Sequence, residues 1–290
     1  SVSMSPSGVM VSLTAQTPSR RPAPNLPARH ISVLMYHHLV PAAILQKMPP
    51  DPDIVSVEQF QQQMEYLTRH QYRTLTMAEA EAVVLGRERA PERAVVITFD
   101  DGYQSNYIYA YPILKHLHQH ATIFAVTAWI TDAASPFDPM RQTYLSWPEL
   151  RAMQADGTFE VQSHTDNLHH IMNGRAQVFS TDPAQAEADL RRSEVQIVSH
   201  LGNLPFALAY PYGAYNRALL RATRQAGFRL GFRADDEGPV AAGDPPLLLK
   251  RYFVAGTRGL NLFARMAAGQ PLWGRVTAAP ATAKRPMLQP

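Results

Sequence analysis

The sequence contains no cysteine, so disulfide bonds and thiolate metal sites are excluded from this 290-residue chain. This absence does not identify the compartment, because many exported bacterial proteins also lack cysteine. No apolar run approaches the roughly 18 residues of a membrane-spanning helix, and residues 1–30 show no signal-peptide pattern. The length and the hydrophobic fraction of 46% allow one large α/β domain with tails or two small domains.

Acidic residues are missing from both ends of the chain. Residues 1–50 and 245–290 contain basic residues but no Asp or Glu. The net charge of +3 therefore conceals an acidic middle region that carries all 24 acidic residues. The basic ends could contact an anionic cell-surface polymer, although ordinary solvated flanks would carry the same charges. Because basic and aromatic residues are not interleaved, nucleic acid is not expected as a partner.

Strand and helix patterns alternate along the middle of the chain. Residues 1–30 predict a linker or disordered arm, residues 31–275 a single domain, and residues 276–290 a C-terminal tail. Strands are predicted over 31–36, 95–99, 121–126, 159–164, 206–210, 228–232 and 247–254. Helices are predicted over 57–70 after Ser56 as an N-cap, from a capping-box pattern at 76–79 onward, and over 150–154 after a second capping-box pattern at 146–149. Further helices are predicted over 104–120, 183–200 and 217–226. This alternation predicts a parallel sheet, open or closed into a barrel, with its chemistry at the carboxyl ends of the strands.

Two adjacent carboxylates, Asp100 and Asp101, follow the apolar run 94–99 and precede Gly102. Two like charges at the end of a buried strand are unfavourable unless a positive group lies between them or one of them stays protonated. A metal ion would meet that need. The alternative is that an aspartate caps the helix predicted over 104–120.

A second polar cluster contains three histidines and follows the next-but-one predicted strand. His164 lies at the end of that strand, and His169 and His170 follow in the loop. The five-residue separation of His164 and His169 is not a same-face helical spacing, so the pair is expected to converge from a strand end and a loop. Imidazole nitrogens suit zinc and similar ions, and a carboxylate would complete a three-ligand site with an open position.

A third segment, Tyr210-Pro211-Tyr212-Gly213, directly follows the strand predicted over 206–210. Proline and glycine are common in ordinary turns. The alternative is a rigid loop that presents a backbone N–H to a developing oxyanion.

Together these segments resemble the polysaccharide deacetylase family, also called the NodB-homology or carbohydrate esterase family 4 domain. Residues 98–102 resemble its first motif, residues 163–165 with His169 its second, and residues 210–213 its third. The segment Leu34-Met35-Tyr36-His37-His38 and the five-residue histidine spacing are similar to the branch that includes the biofilm poly-β-1,6-N-acetylglucosamine deacetylases.

The resemblance covers about residues 31–255 and implies a deformed (β/α)7 barrel. It implies one divalent metal ion bound by Asp101, His164 and His169, with zinc as the first choice and cobalt or nickel as alternatives. It also implies that Asp100 is the general base. A bound metal lowers the pKa of its water, and the neighbouring carboxylate takes the proton from that water.

The resemblance further implies that Tyr212 contributes an oxyanion contact through its backbone N–H, with Pro211 beside it at the substrate. Tyr103 and Trp147 could stack on sugar rings. Packing in the core would explain these two aromatic side chains equally well.

Two residues that are typical of the family are missing. Typical members carry an arginine just before the proline of the third motif, and residues 206–210 contain none. They also carry a Leu-His pair that supplies the general acid, whereas no histidine follows His200. His37 or His38, at the end of the first predicted strand, could protonate the leaving amine. The alternatives are that water does so and that both histidines are structural.

We therefore expect a metal-dependent hydrolase that removes N-acetyl groups from an N-acetylglucosamine-containing polysaccharide by attack of a metal-bound water. Biofilm poly-N-acetylglucosamine is the favoured substrate, and peptidoglycan or chitin-type oligomers are the alternative. A weakly active or inactive glycan-binding protein is the alternative of another class, because of the two missing residues. The protein is expected to be a monomer that acts outside the cytoplasm, extracellularly, at the cell surface or in the periplasm.

Overall fold

Seven parallel strands form a curled sheet in the computed structural model, which describes residues 29–273 and 288–289. The strands are β1 (His30–Tyr36), β2 (Ala94–Asp101), β3 (Ala121–Ala125), β4 (Phe159–Ser163), β5 (Ala207–Ala209), β6 (Leu230–Phe232) and β7 (Tyr252–Phe253). Their order is β6-β5-β4-β3-β2-β1-β7, and every neighbouring pair is parallel. A parallel bridge from Phe232 to Leu249 joins β6 to the segment before β7. The predicted deformed (β/α)7 barrel is therefore confirmed.

Helices follow most of the strands and surround the sheet. They are α1 (Val57–Arg69), α2 (Met77–Val84), α3 (Tyr111–His116), α4 (Trp147–Ala155), α5 (Pro183–Leu201), α6 (Arg217–Gln225) and α7 (Leu260–Ala267). A short helix (Ala42–Leu45), a π-helical turn (Asn106–Ala110) and three 3₁₀ turns (Thr127–Trp129, Gln177–Ser180 and Pro211–Gly213) complete the helical segments. In the described part of the chain, no helix has both the length and the apolar character needed to cross a membrane.

Short strands extend this framework at its edges. Arg73–Thr74 pairs in parallel with β2, and Val240–Ala241 pairs antiparallel with β1. The remaining pairs are His38–Val40 with Ile54–Ser56, Ile171–Met172 with Arg175–Ala176, and Tyr215–Asn216 with Leu288–Gln289.

Side-chain caps place the helix starts where the sequence predicted them. The hydroxyl of Ser56 accepts the backbone N–H of Gln59 at the start of α1. Thr76 and Ser146 each form a capping box with the glutamate three residues later. Such caps satisfy N–H groups that the first helical turn leaves without a partner, and each contributes about 1 kcal/mol. The predicted starts of α1, α2 and α4 are therefore confirmed.

Two helical segments differ from the prediction. The single helix expected over 104–120 is a π-helical turn followed by the six-residue α3. Helix α7 was not predicted, and its start at Gly259 has no side-chain cap. Phe263 and Met266 on α7 are buried in the core between the sheet and the helices. Tertiary packing rather than a local start signal therefore stabilises α7.

Alternation along β2 determines which side chains enter the barrel. All of β2 is buried. Ile97 and Phe99 pack with apolar residues of the surrounding helices. Val96 instead packs in the barrel interior, together with buried apolar residues of α2. Successive side chains of a strand point to opposite faces, so Thr98 and Asp100 share the interior face of Val96. The strand thereby delivers Asp100 to the inner wall of the barrel mouth.

The predicted linker over 1–30 and the predicted tail over 276–290 lie outside the described residues, apart from residues 29–30 and 288–289.

Candidate active site

Asp101, His164 and His169 come together at the carboxyl ends of β2 and β4. The Nε2 atoms of His164 and His169 lie 3.2 Å and 3.1 Å from the same oxygen, Oδ1 of Asp101. One ligand atom from each residue lies within 4.8 Å of the other two. Asp101 itself has a φ of 81°, in the left-handed region that few residues other than glycine adopt. Backbone strain of this kind is common at functional sites.

The hydrogen bond of His164 shows why a cation fits among these atoms. Its Nδ1 lies 2.6 Å from the carbonyl oxygen of Ala209, which can only accept, so Nδ1 carries the hydrogen. In the neutral ring, Nε2 then presents a lone pair to Asp101, whose buried Oδ1 has no hydrogen-bond partner. A lone pair and a carboxylate oxygen repel each other, whereas both would bind a divalent ion with borderline ligand preferences. The residues present therefore fit a metal ion.

The charge state of Asp101 agrees with a role as a ligand. Burial raises the pKa of the Asp101 carboxyl, but the imidazoles of His164 and His169, in the protonated form in which Nε2 donates, lower it by more. The net result is a pKa well below the usual range, so Asp101 is ionised at neutral pH.

The partner of Asp100 is Arg251, which sequence reasoning did not single out. Nη1 and Nη2 of Arg251 donate to Oδ1 and Oδ2 of Asp100 at 2.7 Å and 2.8 Å. The Arg251 side chain is completely buried, and it directly precedes β7, which lies beside β1 in the sheet. Asp100 thus has a bidentate arginine partner although no arginine precedes Pro211. The signal in the sequence was a pair of basic residues, Lys250 and Arg251, inside the otherwise apolar run 247–254.

Arg251 also determines the charge of Asp100. Burial raises the pKa of this carboxyl, but the Arg251 guanidinium, with smaller contributions from His164 and His37, lowers it below its ordinary value. Asp100 is therefore an ionised carboxylate in a fixed orientation, which can accept a proton.

The two histidines that follow β1 have different environments. Nε2 of His37 lies 3.9 Å from Oδ2 of Asp100, and His37 lines the cleft. His38 is buried, its Nδ1 lies 2.9 Å from the hydroxyl of Ser105, and its ring packs against Tyr103. Burial lowers the pKa of His38 to about 4. The structure therefore brings His37 to the site and places His38 in the surrounding packing.

Tyr212 lies at the rim of the cleft and is 44% exposed. Its φ of 59° is again left-handed, and the backbone hydrogen bond of this turn runs from Gly213 N–H to the carbonyl of Tyr210. Among the described residues, the N–H of Tyr212 has no backbone acceptor. Its ring packs against His169 at 4.5 Å between centroids. Pro211 is buried below this turn and does not line the cleft.

The two other aromatic residues singled out from the sequence are packed. Trp147 is 3% exposed and stacks on the ring of His200 at 4.2 Å, away from the cleft. Tyr103 is 8% exposed and stacks on Tyr144 at 5.5 Å. For both residues the structure favours the packing interpretation over contact with sugar rings.

Trp129 is an aromatic residue beside the site that the sequence analysis missed. Its ring lies 4.9 Å from the rings of both His169 and Tyr144. It belongs to the 3₁₀ turn after β3. Because β3 lies between β2 and β4 in the sheet, this turn is placed next to the ligand residues.

An open cleft of about 380 Å³ contains the three residues offered as metal ligands together with Asp100 and His37. It is lined by Met35, His37, Asp53, Asp100, Asp101, His164, His169, Tyr212, Gly213, Ala234, Asp235, Glu237, Arg251, Phe253 and Arg258. Glu237 and Arg258 form a charged hydrogen bond on one wall of the cleft. A cleft with ionised walls and few apolar side chains suits a polar ligand such as a glycan.

Comparison with known proteins agrees with this geometry. The family model described as polysaccharide deacetylase matches residues 87–231. A poly-β-1,6-N-acetyl-D-glucosamine N-deacetylase of Staphylococcus aureus is 30% identical over 184 residues, which are 63% of this chain and 62% of the relative. The chain thus spans a little less than two thirds of the length of this curated relative.

Solved structures share the fold. The Streptococcus pyogenes deacetylase PplD in complex with acetate aligns with a TM-score of 0.72 at 24% identity, covering 84% of this chain and all of PplD. IcaB from Ammonifex degensii aligns with a TM-score of 0.68 at 27% identity, covering 82% of this chain and 96% of IcaB. The family model spans half of the sequence and includes the ends of β2 and β4. The chain therefore belongs to the polysaccharide deacetylase family.

Proposed function

We propose that the protein is a metal-dependent N-deacetylase of an N-acetylglucosamine-containing polysaccharide, with poly-β-1,6-N-acetylglucosamine as the favoured substrate. The observation that carries the proposal is the convergence of Asp101, His164 and His169 beside an ionised Asp100. The name of the Staphylococcus aureus relative supports the choice of polymer. Peptidoglycan and chitin-type oligomers remain the alternative substrates.

Asp101, His164 and His169 would hold the divalent ion. The neutral nitrogens and the carboxylate suit zinc first, with cobalt or nickel as alternatives. When bound, such an ion supplies Lewis-acid polarisation of the acetyl carbonyl and lowers the pKa of water. Two of the three protein ligands are held firmly: Asp101 at the end of β2, and His164 through the carbonyl of Ala209.

Asp100 would act as the general base. It takes a proton from the attacking water while the water oxygen forms a bond to the acetyl carbonyl carbon. Arg251 keeps the carboxylate ionised and oriented through two hydrogen bonds. The charge that develops on the carbonyl oxygen would be stabilised by the N–H of Tyr212.

His37 would protonate the leaving nitrogen. It lines the same cleft as Asp100, and its buried Nδ1 has no hydrogen-bond partner among the described residues. When the C–N bond breaks, the nitrogen accepts this proton and leaves as the glucosamine amine, and acetate is the other product. The packed position of His38 makes it the weaker candidate, and water is the remaining alternative donor.

The proposal extends to the whole molecule and its surroundings. We propose that residues 31–275 form the deacetylase domain, between an N-terminal linker and a C-terminal tail. The substrate places the enzyme outside the cytoplasm, at the cell surface or in the periplasm. The basic residues near both ends could contact an anionic surface polymer, and the barrel would act as a monomer.

Acetate release from β-1,6-linked N-acetylglucosamine oligomers tests the proposal. Protein treated with chelator should release acetate only after zinc, cobalt or nickel is restored, and β-1,4-linked oligomers should react more slowly. Faster release from β-1,4-linked or peptidoglycan oligomers would change the substrate assignment. No release from any of them, together with retained glycan binding, would show the glycan-binding alternative to be correct.

A further inference from the structure

Asp189 is a buried carboxylate that lies outside the cleft and yet contacts the loop between the two histidine ligands. It belongs to α5 and is 2% exposed. Its two oxygens each accept one backbone N–H, from Asp166 and from Asn167, both at 2.9 Å. These residues lie between His164 and His169, so one side chain of a helix determines the course of the ligand loop.

The same loop is attached on its other side to the 3₁₀ turn that follows β3. The N–H of Thr127 donates to the carbonyl of Thr165, and the N–H of Ala128 donates to the carbonyl of Asp166. The hydroxyl of Thr127 also donates to Asp166 Oδ1 at 2.8 Å. Thr165 has a φ of 70°, so the chain turns sharply here. Asp189 therefore supplies the attachment on the helix side of a tight turn that the 3₁₀ turn after β3 holds from the sheet side.

The two histidine ligands depend on this loop to different degrees. His164 is held on its own, because its N–H donates to the carbonyl of Ala125 and its Nδ1 donates to the carbonyl of Ala209. The Nδ1 of His169 has no hydrogen-bond partner among the described residues. The ring of His169 is held by packing against Trp129 and Tyr212. The position of His169 is thus determined by the path of the backbone that leads to it.

We propose that Asp189 is a positioning residue for His169 and so sets the metal affinity of the site. This inference rests on the metal site of the proposed function. Without the carboxylate, two partly buried N–H groups lose their acceptor, and the loop relaxes toward water to satisfy them. Removing a residue that orients a metal ligand without itself binding the metal typically lowers metal affinity by about 10- to 100-fold.

Asp182 offers a matched control on the same helix. It caps α5 and, like Asp189, accepts two backbone N–H groups, those of Ala184 and Gln185. It does not contact the ligand loop. Replacing Asp182 by Ala, which removes the acceptor oxygen, therefore measures what the loss of such a cap does to the stability of the fold.

The test compares Asp189→Ala with Asp182→Ala in the full chain, by zinc affinity from chelator competition and by thermal unfolding of the metal-free protein. We expect the zinc dissociation constant of Asp189→Ala to rise about 10- to 100-fold and that of Asp182→Ala to stay unchanged. If Asp189→Ala does not fold, Asp189→Asn, which keeps one of the two acceptor oxygens, serves for the same comparison. Equal zinc affinities in wild type and a folded Asp189 variant would overturn the inference.

A double variant separates positioning from a general structural effect. If Asp189 acts through His169, adding Asp189→Ala to His169→Ala should leave the residual zinc affinity unchanged, because the positioned ligand is already absent. A further loss of the same size in that background would refute the inference. Wild-type protein that binds no zinc, cobalt or nickel would instead contradict the proposed function, so the two failures are distinguishable.

Discussion

The two ends of the barrel each contain a carboxylate beside imidazole, and the two clusters satisfy their hydrogen bonds differently. At the amino-terminal end, His120 uses both ring nitrogens, with Nδ1 2.8 Å from the carbonyl of Gly157 and Nε2 3.2 Å from Glu160 Oε2. At the mouth, two imidazole nitrogens approach Asp101 Oδ1, which has no hydrogen-bond partner.

This contrast distinguishes a structural ion pair from a ligand site. The cluster at His120 is complete when its ring is protonated, because both nitrogens then carry hydrogen and each faces an acceptor, the Gly157 carbonyl or the Glu160 carboxylate. The cluster at Asp101 brings acceptor atoms against one another, which is unfavourable in a buried site without a cation. Residue types alone would not separate the two clusters, since each contains histidine and a carboxylate.

The largest expected difference between the two ends is in bound metal. His164→Ala should lose nearly all bound zinc, because it removes one of three protein ligands, whereas His120→Ala should keep its zinc. Elemental analysis of zinc-loaded, desalted protein measures both variants. Full metal content with intact activity in His164→Ala would rule out the ligand assignment.

Removing the charge of each carboxylate should separate the two ends in catalysis. Asp100→Asn should retain the metal and lose about 10²- to 10⁴-fold in kcat, because a positioned general base is absent. Glu160→Gln, the matched change at the other end, should keep full kcat in the same acetate-release assay. If Asp100→Asn lost the metal while Asp101→Asn retained it, the two aspartates would have the opposite roles.

The contrast between His37 and His38 should appear in the rate of the reaction. Removing a positioned general acid costs about 10²-fold in kcat. His37→Gln should therefore lose about this much in kcat with unchanged metal content, whereas His38→Gln should keep the wild-type kcat, because His38 lies outside the cleft. A wild-type kcat in His37→Gln would favour water as the proton donor.

The smallest effect is expected in the stability that the Glu160–His120 pair contributes. Burial lowers the pKa of His120, but the hydrogen bonds that its ring donates to Glu160 and to the Gly157 carbonyl outweigh this effect and raise the pKa above its ordinary value of 6.5. Because this pKa is higher in the folded than in the unfolded state, protonation of His120 stabilises the fold. The stabilisation is fully present below pH 6.5 and is lost as the pH rises through the pKa of the folded state.

Glu160→Gln should therefore lower the free energy of unfolding by up to about 1 kcal/mol at acidic pH and by less at alkaline pH. Urea unfolding on both sides of this interval measures the difference. An equal loss at both pH values would show that Glu160 acts through its hydrogen bond to the N–H of Met77 and not through the charge of His120.

Much of the fold could be predicted because its signals are local. A buried strand ending in two aspartates, three capping motifs and a repeated strand-helix alternation each depend on neighbouring residues. Helix α7 has no such signal at its start and owes its place to the burial of Phe263 and Met266. The sequence also could not show that Trp129 rather than Trp147 lies beside the site, because this depends on which element each tryptophan faces.

The sequence by itself determined the family motifs and the strand-helix alternation, and the resemblance that those motifs carry implied the barrel and the three residues offered as metal ligands. Only the tertiary structure decided that Arg251 pairs with Asp100, because the two lie 151 residues apart and meet through the parallel pairing of β1 with both β2 and β7. It also decided that His37 faces the cleft while His38 is packed against Tyr103. Adjacent residues at the end of a strand share a sequence environment, and only the packing around them assigns each side chain to its place.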